Sequence, residues 1–188
     1  MARPSRYAAA AGLIGLAVCA TDAISKALVV ADISPYRPVR LLGGLLTLDQ
    51  VRNPGAAFGL GRSYTAIYAL VAVGALVAIL RVSRRLRSWP WTVALGLLLG
   101  GAAGNLLDRL FRSPGVLRGF VVDWIKLPYF AQSFNIADSC IVIGVALLVL
   151  ASLRGWRLDG NRASSGQQSA ANANRLPGAP PGCSQPDP

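Results

Sequence analysis

GAAGNLLDRLFRSPGVLRGFVVDWIKLPYFAQSFNIADS, residues 101–139, decides how the rest of the chain is read. It carries Asp108, Asp123 and Asp138, three of the eight acidic residues, each at or near the end of an apolar run long enough to cross a bilayer. A carboxylate close to hydrocarbon is costly and persists where it is paired, faces a wet cavity or has a chemical task. The remaining sequence is therefore read for what holds these three groups.

The composition, 188 residues of which 53% are apolar, suits a small polytopic membrane protein better than a soluble domain of this size. One membrane domain, residues 1–158, is expected. The net charge of +11 comes from 17 Arg and two Lys against eight Asp and no Glu. These basic residues lie between the apolar runs instead of forming one patch, so no nucleic-acid partner is expected. They read as orientation signals and as attraction to membrane lipids with anionic headgroups. The chain has no His, which excludes Ser-His, Cys-His and His-ligated metal chemistry. Cys19, Cys140 and Cys183 share no short spacing, so neither a disulfide nor a metal site is indicated, and no cofactor is expected.

Four spans are expected, at about residues 8–30, 63–80, 89–107 and 134–153. The first follows Arg3 and Arg6 and resembles a signal peptide, but its 23 residues are long enough to cross the bilayer and it reads as a retained helix. Asp22 and Lys26 stand four apart on one of its faces and can neutralise each other as a structural ion pair. Residues 31–61 are broken by Pro and Gly, with Leu46 to Val51 as a short strand and Asn53-Pro54-Gly55 as a turn, giving a small extramembrane β element. Arg81, Arg84, Arg85 and Arg87 mark the cytoplasmic side after span two. With four spans, Arg3, Arg6, Arg154 and Arg157 fall on that side too.

Span three begins at the interfacial pair Trp89 and Trp91, and Gly96, Gly100 and Gly104 form a stripe along it that lets another helix approach. Asn105, Asp108 and Arg109 then share one face at its outer end, where interfacial anchoring is the plain alternative to a functional role. In span four, Asn135 and Asp138 occupy the first turn and a half, with Asp138 too deep to be explained by solvation. Asp123 follows the loop containing Pro114 and Gly115 and is expected at the membrane surface. Residues 159–188, rich in Gly, Ser, Ala, Asn, Gln and Pro, read as a disordered cytoplasmic tail dispensable for function.

If Asp123 and Asp138 meet, two close carboxylates in a poorly solvated site share one proton. One can then act as base and the other as acid, and a peptide bond can be hydrolysed without metal, thiol or imidazole. The same charges leave open a structural role, or a small proton- or cation-coupled transporter that uses intramembrane Asp residues.

Five blocks then narrow the choice: Thr21-Asp22-Ala23-Ile24-Ser25-Lys26, Asn53-Pro54-Gly55-Ala56-Ala57-Phe58-Gly59, Gly104-Asn105-Leu106-Leu107-Asp108-Arg109, Val121-Val122-Asp123-Trp124 and Phe134-Asn135-Ile136-Ala137-Asp138-Ser139. In this order, and in register with four spans over about residues 7–155, they resemble the lipoprotein signal peptidase family, the type II signal peptidases of bacteria. The resemblance implies a mainly α, four-span aspartyl protease of the bacterial cytoplasmic membrane. Such an enzyme cuts prolipoproteins just before the Cys that carries a diacylglyceryl group, with its active site toward the outer leaflet. It implies Asp123 and Asp138 as the catalytic pair, and Asn53, Asn105, Arg109 and Asn135 as groups that shape or bind in the site. Asp22, Lys26 and Asp108 would support it, the 31–61 element would cradle the substrate, and a monomer is expected. Two departures stand out: the connection from Phe111 to Arg118 is longer than in many members, and Trp124 stands where Phe is usual.

Overall fold

In a computed structural model, which describes residues 5–55 and 65–160, four helices are long and apolar enough to cross a membrane. They are α1 (Arg6–Asp32), α2 (Thr65–Ser83), α3 (Trp89–Phe111) and α4 (Ile136–Leu153). The expected spans are met, and α1 and α3 run a few residues further than their apolar cores. The end of α3 past residue 107 carries Asp108 and Arg109, because polar side chains that find partners inside the protein need not end a helix. The expected start of span two at residue 63, the Ala56-Ala57-Phe58-Gly59 part of the second block, and residues 161–188, where most of the expected tail falls, lie outside the described residues.

Helix α3 is the most buried of the four and packs against the other three. Its contact with α1 depends on Gly100, where an added Cβ would lie 2.5 Å from Val18 Cβ and 2.6 Å from the Gly15 carbonyl oxygen. In lipid no hydrophobic force drives helices together, so such close backbone approach supplies much of their attraction. Gly100→Val is expected to force α1 and α3 apart and cost about 1–3 kcal/mol. Gly12→Ala, whose Cβ would enter open space, is the control. Thermal unfolding of both variants in detergent checks this, and equal stability would show that the close approach contributes nothing.

The β element is a three-stranded antiparallel sheet ordered β1-β2-β3: β1 (Val39–Leu41), β2 (Leu46–Asn53) and β3 (Val121–Lys126). Two strands belong to the loop after α1: β2 covers the expected strand from Leu46 to Val51, and β1 adds a second that the pattern of residues 31–61 does not announce. The third comes from the connection between α3 and α4, which the sequence reading left without a strand. Val51 pairs with Asp123 and Asn53 with Val121, after an irregularity between Leu48 and Val51. Beyond β3 the chain reverses and Phe134 pairs back onto Ile125, its N–H donating to the Ile125 carbonyl at 2.9 Å. That closure delivers Asn135, the first residue after it, to the side of Asp123.

The longer connection from α3 to β3 is folded tightly under the end of α3. Gly119 donates its N–H to the Arg109 carbonyl at 3.1 Å, and a Cβ there would collide with the Asp108 carbonyl oxygen at 2.2 Å. Only glycine permits this approach, which starts β3 beside the last turn of α3.

At the opposite end of the bundle, residues 154–160 fold back across the α2–α3 turn. Arg87 N–H donates to the Leu158 carbonyl at 2.8 Å, and Trp91 Nε1 donates to the Trp156 carbonyl at 2.8 Å. Leu158 packs onto the buried cluster of Ala11, Leu86 and Leu95.

Candidate active site

Five elements converge at the sheet end of the bundle, and they bring together every residue singled out in the sequence. Asn135 caps α4: its side-chain oxygen accepts from Asp138 N–H at 2.9 Å, while its own N–H donates to Asp138 Oδ2 at 3.2 Å. This reciprocal capping box fixes Asp138 in the first turn, where the helix N-terminus favours negative charge. The Asn135 amide nitrogen then donates to Asp123 Oδ1 at 2.7 Å and to Asn105 Oδ1 at 3.2 Å. Asn105 in turn donates to Asp138 Oδ1 at 2.8 Å. Asn53, at the end of β2, donates to Asp123 Oδ2 at 2.8 Å and accepts from Gly55 N–H at 2.8 Å, which shapes the expected turn. The two carboxylates are thus linked through one network of three asparagine amides.

Asp123, expected at the membrane surface, is only 2% exposed and so is enclosed by the protein itself. Packing of β3 against α3 and α1 is the cause. Burial raises its pKa to about 6, and the negative charge of Asp138 adds to the rise, against the opposing amide hydrogen bonds from Asn53 and Asn135. A proton is therefore held on this carboxyl to a higher pH than on a solvated one.

Behind the pair lies a buried ionic brace. Lys26 and Asp22 are both fully buried and 2.7 Å apart, as their spacing predicts, but Lys26 Nζ also meets Asp108 Oδ2 at 2.9 Å and Asn105 Oδ1 at 3.0 Å. Asp108 pairs with Arg112 as well. Asp22 Oδ1 accepts the N–H of Ala137 at 2.9 Å, and Asp108 Oδ2 accepts the N–H of Val122 at 3.1 Å. Each of these carboxylates grips the residue immediately before one of the two site aspartates. Interfacial anchoring of Asp108 and Arg109 is thereby excluded, since they are only 5% and 9% exposed.

Arg109 stands beside this network with its guanidinium carbon 5.4 Å from the centre of the Tyr68 ring. Its Nη1 is buried without a hydrogen-bond partner among the described residues, leaving a donor for a ligand. Tyr68 went unnoticed in the sequence, where a lone tyrosine in an apolar span carries no distinguishing pattern. A cleft of about 780 Å³ opens at Asp123 and Asp138, walled by Phe130, Phe134, Val142 and Ile143. A smaller recess of about 270 Å³, lined by Asp49, Arg52 and Lys126, shares Asn53 and Asp123 with it. Among the described residues, no group of three or more His, Cys, Asp or Glu is placed to hold a metal ion.

Buried Asp123 and half-buried Asp138, joined through asparagine amides, stand at the mouth of an apolar cleft, and comparison with known proteins gives the chain a family. The profile described as Signal peptidase (SPase) II matches residues 14–154. The lipoprotein signal peptidase of Rhodococcus jostii (strain RHA1) is 50% identical over 145 residues, which cover 77% of this chain and 73% of that protein. That of Mycobacterium avium (strain 104) is 43% identical over 157 residues, covering 84% and 86%. A solved structure described as a bacterial membrane enzyme superposes with a TM-score of 0.68 at 29% identity, covering 77% of this chain and 92% of that one. Four spans, a site where they converge with the small sheet, and relatives alike along most of their length lead to one assignment: the chain belongs to the signal peptidase II family.

Proposed function

We propose that the protein is the endopeptidase that removes the signal peptide from diacylglyceryl-modified prolipoproteins, cutting before the lipid-bearing Cys with a water activated between Asp123 and Asp138. The observation that supports this most is the network through Asn135 and Asn105, which holds both carboxylates at one cleft. Asp138 takes a proton from water as the water oxygen bonds to the scissile carbonyl carbon, and Asp123 gives its proton to the carbonyl oxygen. Collapse of the diol breaks the C–N bond: Asp138 passes its proton to the leaving amine, and Asp123 recovers one from the diol hydroxyl. Arg109 Nη1 donates to a substrate carbonyl, and Asn53 and Asn135 keep Asp123 oriented. The apolar wall of the cleft suits diacylglyceryl chains, and the polar recess beyond Asp123 suits the chain that follows the Cys.

The Arg81 to Arg87 cluster and Arg154 and Arg157 lie at the end away from the carboxylates, which supports cytoplasmic termini and a site facing the outer leaflet. A monomer suffices, because one chain supplies every group named. The transporter reading is weaker, since a conduction path needs ionisable groups along the whole span and these gather at one end.

The test is cleavage of a purified prolipoprotein, with and without its diacylglyceryl group, in excess chelator. Cutting of the modified form alone, unaffected by chelator, is expected. Equal cutting of the unmodified form would overturn the substrate reading, and chelator sensitivity would overturn the mechanism. The pH profile carries a separate expectation. With its pKa raised to about 6, Asp123 holds its proton below that pH and loses it above. The rate should fall as pH rises past about 6, where Asp123 gives up the proton it would share. A rate that does not fall on the alkaline side would contradict the shared proton.

A further inference from the structure

The hook formed by residues 154–160 borders a third cavity at the end of the bundle away from the carboxylates, about 520 Å³ in volume and lined by Arg85, Trp91, Trp156, Arg157, Leu158 and Asp159 among others. The peptidase chemistry makes no use of it. Its floor is apolar and anchored, with Leu158 on the core and Trp91 Nε1 held by the Trp156 carbonyl. Its rim is cationic. Arg85 and Arg157 are exposed, and Arg154 stacks over the Trp156 ring with its guanidinium carbon 5.6 Å from the centroid. Arg81, Arg84 and Arg87 lie nearby, whereas Asp159 is the only carboxylate at this end among the described residues, and its pairing with Arg157 is a long and solvated 3.6 Å.

We propose that this cavity binds the headgroup of an anionic phospholipid, with Arg85 and Arg157 on its phosphodiester and the glycerol region against Trp91 and Trp156. Guanidinium matches phosphate oxygens in geometry as well as in charge, and indole rings settle at the level where headgroup meets hydrocarbon. The cavity lies where the end of α4 and the start of α3 meet the α2–α3 turn, and basic pockets between spans are suited to such headgroups. The volume far exceeds what a free phosphate ion fills, and the apolar floor offers such an ion nothing. A lipid fits both parts of the lining. Its binding would clamp the hook to the α2–α3 turn and so tie the last span to the middle of the chain.

Native mass spectrometry of the full-length protein in detergent, titrated separately with phosphatidylglycerol, phosphatidylcholine and inorganic phosphate, reads this site without any cleavage assay. One phosphatidylglycerol is expected to be retained and phosphatidylcholine not. Arg85→Gln and Arg157→Gln should each weaken retention about fivefold, and the control variants Arg81→Gln and Arg84→Gln less than about twofold. All four side chains are exposed, so the fold should persist, as circular dichroism would verify. Equal losses in the two pairs would indicate a diffuse basic surface, and displacement of the lipid by millimolar phosphate would indicate an ion site. Either result overturns the proposal.

Discussion

Asp123→Asn and Asp138→Asn are each expected to slow cleavage of a diacylglyceryl-modified prolipoprotein by about 10³-fold or more, and the double variant should be scarcely slower than either single one. Two groups that pass one proton between them act as a unit, so losing the first already removes what the second contributes. The variants also separate chemistry from folding. Above pH 6 the wild-type protein carries an ionised carboxylate at Asp123 in a site that disfavours it. For a group with a raised pKa, the stability it contributes is full below the unfolded value and is lost as pH rises through the folded value. Asparagine has no such cost, though it accepts at one oxygen only and therefore forfeits one of the bonds from Asn53 and Asn135. Asp123→Asn should accordingly unfold no earlier than wild type at pH 8 while being inactive. Rates measured on purified protein, beside unfolding curves at pH 5 and pH 8, give both readings. Retained cleavage in either single variant would end the two-carboxylate mechanism.

The second large effect is expected at Lys26, which touches no substrate. Lys26→Met leaves Asp22 and Asp108 facing each other in a dry interior, and removing one partner of a buried ionic group costs about 3–5 kcal/mol. Because those carboxylates also hold the N–H groups of Ala137 and Val122, the loss should reach the active site as well. Asp22→Asn combined with Lys26→Met removes one charge of each sign and should recover part of the stability. Unfolding in detergent measures the first effect, and the double-variant comparison shows whether the charges act together. A single Lys26→Met variant as stable as wild type would mean that the brace contributes nothing to the fold.

Much of this arrangement was legible in the chain. Asp22 and Lys26 announced their contact by spacing, since i and i+4 on one helix must be neighbours. The spans announced themselves by length, because hydrocarbon demands long apolar runs. The third partner, Asp108, was not legible: its meeting with Lys26 depends on how two helices pack, and no local pattern encodes it. Strand β3 was missed for a related reason. Six residues between a helix and a loop show too little alternation to separate a buried edge from an interfacial segment, so the burial of Asp123 within the protein was not legible. The convergence of Asn53, Asn105 and Asn135 on the two aspartates followed from resemblance to a family and not from periodicity, which is blind to contacts across the sequence. Residues 154–158 fall within the expected membrane domain but carry no pattern of their own, because a single Leu and Trp do not reveal that a core lies within reach, and the expected tail from 159 begins two residues too early.

The brace also bears on how the enzyme comes into being. Asp22 lies on α1 and the N–H it holds lies on α4, which is synthesised later, so the proposed catalytic pair is not braced until α4 is in place. If that pair does the cutting, competence to cut arrives only once all four spans are threaded.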